Sequence, residues 1–303
     1  MTEGSLRISR RAALSLVGGT FLALSIPASR AEVRAIVESA SNATSPILDA
    51  LKQRFPGIPA GPGASLPASR PSNAIYLAIG PAALRAALVA RVTEPLLALF
   101  ASRQSFEAVL KEAQKYSGMK VSAIYAEASP DAQFELIAAI YQRRVSVGVM
   151  LSEFGASLAS TLERAAEKSR LDLLLYRVER SGNVVRALAA LSDAAAVLAI
   201  PDPAIFSSDN LRGILESTYR RGQAVIGFTP ALVNAGILAT AYATVEDVLD
   251  QLPQILSEFE QGRIPEPRYP SYWRVSINES VARSLNLVLS DEVKALARKK
   301  GRS

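Results

Sequence analysis

Short apolar runs without polar alternation recur along this chain, separated by amphipathic stretches and punctuated by proline and glycine. Val197 to Ile200 stops at Pro201-Asp202-Pro203, an amphipathic segment follows, and Ala224 to Phe228 stops at Thr229-Pro230. This order predicts strand, loop, helix, strand, loop. Uninterrupted apolar runs suit strands buried on both faces, and such strands joined through helices run parallel.

The same alternation predicts strands at Glu32–Ser39, Ala74–Ile79, Pro95–Ala101 and Val121–Tyr125, with helices at Ser45–Arg54, Ala82–Ala90 and Ser105–Tyr116. After Glu127 a second series begins with the helix Pro130–Gln142. Strands at Val145–Leu151, Leu171–Val178, Ala194–Ile200 and Ala224–Phe228 then alternate with helices at Gly155–Ser169, Val184–Leu191 and Asn210–Arg221. Two successive series of βα units predict an α/β protein with two doubly wound parallel-sheet lobes and a cleft between them. Between the first helix and the second strand, Phe55–Asn73 is rich in proline and glycine and reads as an exposed loop with a degenerate strand.

Towards the C-terminus, Ile237–Ala243 is expected to lead back so that the helix Val245–Gln261 packs on the first lobe, with Gly262 as its stop. Pro265, Pro267 and Pro270 mark a linker before a strand at Trp273–Ile277 and a helix at Glu279–Leu285. The expected division is residues 32–127 plus 239–264 for the first lobe and 128–238 plus 270–290 for the second. Residues 291–303 are expected to be a solvated basic tail.

Three features of this stretch resemble the substrate-binding proteins of ABC transporters, in the group that includes tryptophan-binding members. Ile200-Pro201-Asp202-Pro203 stands where those proteins carry a Pro-Thr-Asp-Asn-like loop, and Gly236-Ile237-Leu238-Ala239-Thr240 where a Gly-Ala-Leu-Ala-Thr run joins the lobes. Ser129-Pro130 with Gln133, Glu135, Leu136 and Ile137 is similar to the family's helix opening after the first lobe. One departure is Ser102-Arg103-Gln104, in place of a Thr-Asp-Pro-like loop, which points to a different ligand or a different way of holding it. The resemblance implies the type I periplasmic binding protein architecture. It also implies a small-molecule ligand such as an amino acid, and an ABC permease and ATPase as partners. The alternative is a periplasmic sensor that presents its ligand to a membrane receptor without transport.

Composition narrows the chemistry. The chain has neither Cys nor His, which removes thiol nucleophiles, imidazole bases, disulfides, a lipid-anchoring cysteine and the commonest zinc ligands. An enzyme is therefore disfavoured, and neither a cofactor nor a metal is expected. Arg7, Arg10 and Arg11 precede the apolar run Ala12–Ile26, and Ser29-Arg30-Ala31 closes it. That is the order of a cleaved secretory signal, twin-arginine in type, and it predicts residence in the periplasm. Without its four arginines and one glutamate the remainder carries 30 basic and 27 acidic side chains, a net charge of +3. No nucleic-acid partner is indicated, and a monomer is expected.

Ligands of open α/β sheets lie beyond the carboxyl ends of the strands. The candidates there are Ser39, Ser41, Asn42, Gly80, Ser102, Arg103 and Glu127 from the first series, and Ser152, Glu153, Asp202, Phe228, Thr229 and Tyr242 from the second, with Asn234 following. Asp202 or Glu127 could hold an ammonium group, helix starts a carboxylate, and Phe228 or Tyr125 could cover an apolar body. Ser, Asp and Thr at such places also cap helices, and Ser207-Ser208-Asp209 is assigned to capping. Glu246-Asp247 reads as a helix surface, with no partner that would make the pair an acid and a base.

Overall fold

The computed structural model describes residues 31–38, 44–60, 66, 70–113, 118–179 and 182–296. The expected signal segment up to residue 30 and the tail beyond residue 296 lie outside them.

The first lobe is a four-stranded parallel sheet in the order β1-β2-β3-β4, formed by Glu32–Ile36, Ala74–Ile79, Leu96–Ala101 and Val121–Tyr125. The helices between them are α1 (Ser45–Arg54), α2 (Gly80–Val89) and α3 (Arg103–Glu112). Alternation along the strands sends Ala74, Tyr76, Ala78 and Leu96 towards Leu84, Leu88 and Phe106 on α2 and α3. Ile75, Leu77, Ile79 and Leu97 point to the opposite face, against Leu51 of α1 and the returning C-terminal helices. Both faces are therefore covered, as the unbroken apolar runs require. Beside β1, the Ala35 N–H donates to the Pro59 carbonyl at 3.2 Å, so part of the proline-rich loop flanks the strand without joining the sheet.

The second lobe is a six-stranded sheet in the order β10-β9-β8-β7-β5-β6. Its strands are β5 (Ser146–Leu151), β6 (Asp172–Arg177), β7 (Ala196–Leu198), β8 (Ala224–Gly227), β9 (Ala239–Tyr242) and the antiparallel edge strand β10 (Arg274–Ile277). α4 (Pro130–Tyr141) and α5 (Ala159–Lys168) cover one face with Phe134, Ile137 and Leu162 against Val147, Val149 and Leu198. α6 (Val184–Ala189) and α7 (Ser208–Arg220) cover the other with Leu188 and Ile214 against Met150 and Val197. α8 (Pro230–Asn234) extends that cover, with Val233 against Val225.

Four sequence expectations are corrected. Residues 239–242 are not a plain return segment: they form β9, paired in parallel with β8, so the second lobe includes them. The expected helix 245–261 is two helices, α9 (Val245–Leu249) and α10 (Leu252–Glu260). Pro253 stands in the first turn of α10, where the missing N–H is tolerated; further along an unbroken helix it would remove a hydrogen bond and clash with the preceding turn. Their Val248, Leu249, Leu252 and Ile255 do pack on the first lobe. Asp247 is not on a solvated face, since it is 4% exposed and held by Arg274. Finally, after the short helix α11 (Glu279–Ser284), Asp291–Leu296 is not tail but helix α12, whose Val293 is fully buried in the second-lobe core.

Candidate functional site

In the second sheet β5 lies between β6 and β7, so the connection after β5 leads to β6 on one side and the connection after β7 leads to β8 on the other. This is the switch point at which the loops after two neighbouring strands part and leave a crevice. Ser152 follows β5, and Pro201-Asp202 follows β7. Rather than framing an open acidic site, the two loops are tied together. Asp202 Oδ2 accepts from the Ser152 hydroxyl at 2.7 Å and the Ser152 N–H at 3.2 Å, and Oδ1 accepts from the Ala204 N–H at 3.1 Å. The Ser152 hydroxyl in turn accepts from the Phe154 N–H at 3.1 Å. Asp202 is 1% exposed, and both of its carboxylate oxygens are engaged by these loops. Short loops with many unpaired N–H groups draw the carboxylate inward.

Facing this crevice, the first lobe contributes the turn from β3 into α3. β3 is bulged at its end, with Phe100 at φ 59°, and Ser102 caps α3 by accepting from the Ser105 N–H at 3.1 Å. Gln104, Glu107, Ala108 and Lys111 share one helix face by their spacing. They line a cavity of about 660 Å³ together with Ser152, Glu153, Phe154, Ser157, Glu179 and other residues of the second lobe. Polar ties cross between the lobes at its floor. Ser157 donates to Glu107 Oε2 at 2.6 Å, and Arg103 bridges Glu107 Oε1 at 2.7 Å and the Thr161 hydroxyl at 3.2 Å.

Deeper in the interface lies a second, narrow cavity of about 30 Å³, lined by Gln104, Glu127, Tyr269, Leu158, Leu198, Phe228 and neighbouring residues. Glu127 sits on the crossing between β4 and α4 and is 8% exposed; Gln104 is 2% exposed. Glu127 Oε1 accepts the Arg103 N–H at 2.9 Å. Oε2 of Glu127 and both amide atoms of Gln104 are buried with no hydrogen-bond partner among the described residues. Burial pushes the Glu127 carboxyl up to about 7, against smaller opposing effects of the backbone N–H groups and the Arg103 charge. Burial likewise raises Tyr269, and raises Tyr125 to about 12, so both phenols are neutral. Their rings meet edge to face at 4.9 Å.

Of the other expected residues, Phe228 lines the narrow cavity and meets Phe206 edge to face at 6.5 Å. Tyr242 pairs its backbone with Glu127 in an isolated bridge. Gly80 opens α2 at φ 83°, a left-handed conformation that favours glycine. Thr229 precedes α8 without capping it through its side chain, and Asn234 ends that helix. Ser102 and Ser152 serve as cap and loop tie. Ser39, Ser41 and Asn42 lie outside the described residues. Gln104 and Tyr269 went unrecognised as site residues in the sequence. Gln104 belongs to the departure Ser102-Arg103-Gln104, which was signal enough to weigh it. Tyr269, in a proline-rich linker, carried no such signal.

Among the described residues no helix is long and apolar enough to cross a membrane, and no cluster of three carboxylates could hold a metal ion. No family model and no curated protein matches the sequence. Solved structures do match. A conserved domain protein from Vibrio cholerae O1 biovar El Tor is 19% identical with a TM-score of 0.56, over 88% of this chain and 97% of that one. An ABC domain in complex with L-Trp from Streptococcus pneumonia is 15% identical with a TM-score of 0.58, over 88% of this chain and 98% of that one. A ligand-free, open substrate-binding protein with adhesive properties from Clostridium difficile is 14% identical with a TM-score of 0.57, over 84% of this chain and 94% of that one. These likenesses establish the fold: this chain has the two-lobed α/β architecture of the substrate-binding proteins that its sequence resembles.

Proposed function

We propose that this chain is an extracytoplasmic binding protein that captures a small molecule between its lobes and delivers it to an ABC importer, without chemical turnover. The observation that carries this reading is the interlobe cavity. At about 660 Å³ it has the volume of a small-ligand site, and both sheets direct the carboxyl ends of their strands towards it. The chain passes between lobes at residues 126–129, 243–244 and 270–273, so each lobe keeps its own core while the two rotate. A ligand that touches both sides then favours the closed population. The L-Trp of the Streptococcus pneumonia structure supports an amino acid or a similar amphiphile as the ligand class. The arginine-rich, apolar start of the sequence supports export to the periplasm.

The test is to purify the exported protein, identify co-purified small molecules by mass spectrometry, and titrate them back while recording small-angle scattering. Binding with a reduced radius of gyration is expected. Saturable chemical conversion, or an unchanged scattering profile at saturation, overturns the reading.

A further inference from the structure

The narrow cavity contains a contradiction that the apolar cores do not. Buried polar atoms are almost always hydrogen-bonded, and leaving one unpaired costs about 1–3 kcal/mol. Here three sit together: Glu127 Oε2 and the two amide atoms of Gln104. They line one small space whose second-lobe wall is apolar, formed by Leu158, Leu162, Leu198 and Phe228. The partner that satisfies them must therefore enter the space.

We propose that Glu127 and Gln104 are the anchor for a primary ammonium group of the ligand, so that the cleft selects amine-bearing small molecules. This deepens the binding role proposed above and rests on it. A space of about 30 Å³ admits a group the size of one or two waters, which fits an ammonium head. An ammonium has three donors and no acceptor, so it pairs with two of the three atoms, the free Glu127 oxygen and the Gln104 carbonyl, and leaves the Gln104 amide N–H donors to an acceptor elsewhere on the same ligand. The charge supports the same choice. Around the anchor stand Arg103 and Glu107 on α3, Glu127 on the crossing, and the neutral phenols of Tyr125 and Tyr269. Arg103 is already paired with Glu107, leaving one carboxylate for the ligand to balance. Asp202, the other acidic candidate, has both oxygens hydrogen-bonded within its own loops.

Matched probes test this by calorimetry and scattering: the standard amino acids against their α-hydroxy acids, tryptamine against tryptophol, and putrescine against butane-1,4-diol. The amine of any pair that binds is expected to do so at least about tenfold more tightly, the size of one charge-assisted hydrogen bond. Glu127→Gln keeps the shape and removes a buried charge, so it should fold, and it is expected to lose that preference. Gln104→Leu is expected to weaken amine binding as well. Amine affinity should rise between pH 6 and pH 8 as Glu127 sheds its proton, and Glu127→Gln should flatten that rise. Equal binding of the hydroxyl partner, or an unaltered preference in Glu127→Gln, overturns the ammonium anchor while the binding role stands. Failure of every probe, with no compaction and no co-purified ligand, overturns both.

Discussion

The Ser152 hydroxyl donates to Asp202 Oδ2 at 2.7 Å across the point where the second sheet reverses its order. The contact is reinforced by the Ser152 and Ala204 N–H groups on the same carboxylate. Gly155 fits against it: a β-carbon there would lie 3.2 Å from Asp202 Oδ2 and 3.0 Å from Ile200 Cδ1. The carboxylate thus holds the two loops that border the cleft. Asp202→Ala is expected to lower stability by about 2–3 kcal/mol, because it leaves buried donors unpaired. Thermal unfolding would read this, with amine affinity falling only as far as the loops loosen. A variant of wild-type stability that has lost binding would return Asp202 to direct contact with the ligand.

Glu127 makes stability depend on pH in a stated direction. Its folded value, about 7, lies above the 4.5 of an unburied glutamate carboxyl. Its contribution is therefore fully present below about pH 4.5 and is lost as pH rises through 7. Ligand-free wild-type protein should become less stable between pH 5 and pH 8, by about 2–3 kcal/mol from this group. Glu127→Gln should show a flatter profile and melt higher than wild type at pH 8. Parallel profiles for the two proteins would refute this.

Asp247 is bound by Arg274 Nε at 2.8 Å and Nη2 at 3.1 Å, and shares a reciprocal cap with Thr244. This pair links a helix packed on the first lobe to the edge strand of the second. Burial would raise the Asp247 carboxyl, but the hydrogen bonds from Arg274 and Thr244 outweigh it and hold the group below its ordinary range. That stabilisation is present above the unfolded carboxylate value and is lost as pH falls through the folded one. Asp247→Asn is expected to cost about 2 kcal/mol, discounted because Arg274 is 31% exposed. Chemical denaturation at pH 7 and pH 3 checks it, and the difference between the proteins should shrink at the lower pH.

Gly227, at the end of β8, has no room for a side chain. A β-carbon there would overlap the δ-methyl of Ile237 and lie 3.2 Å from Leu232 Cδ1. Gly227→Ala should lower stability by about 1–3 kcal/mol through overpacking. Combining it with Ile237→Val should recover part of the loss, as denaturant midpoints would report. No recovery would place the strain elsewhere.

Export is expected to remove residues 1–31, so the periplasmic protein should begin at Glu32 by N-terminal sequencing. Changing Arg10 and Arg11 to Lys should block the twin-arginine route. Unchanged export would indicate the general secretory route instead.

The sequence by itself determined the two lobes. Strands such as Ala74–Ile79 and Ala224–Gly227 are apolar at every position because both faces are covered, and that burial is legible one residue at a time. The cap at Ser207 was legible for the same local reason, since a hydroxyl three residues before an N–H satisfies it wherever the helix lies. Tertiary structure decided the rest. Asp202 and Glu127 look alike in sequence, each an acidic residue following a strand. Only the neighbouring loops reveal that donors surround both oxygens of Asp202, whereas one oxygen of Glu127 faces apolar walls from the other lobe. Gln104 and Tyr269 lie 165 positions apart and meet on one cavity only because α3 and the proline-rich linker converge there. Residue spacing records the periodicity of a single element, but a carboxylate's charge state and partners depend on which atoms the whole fold brings within a few ångströms of it.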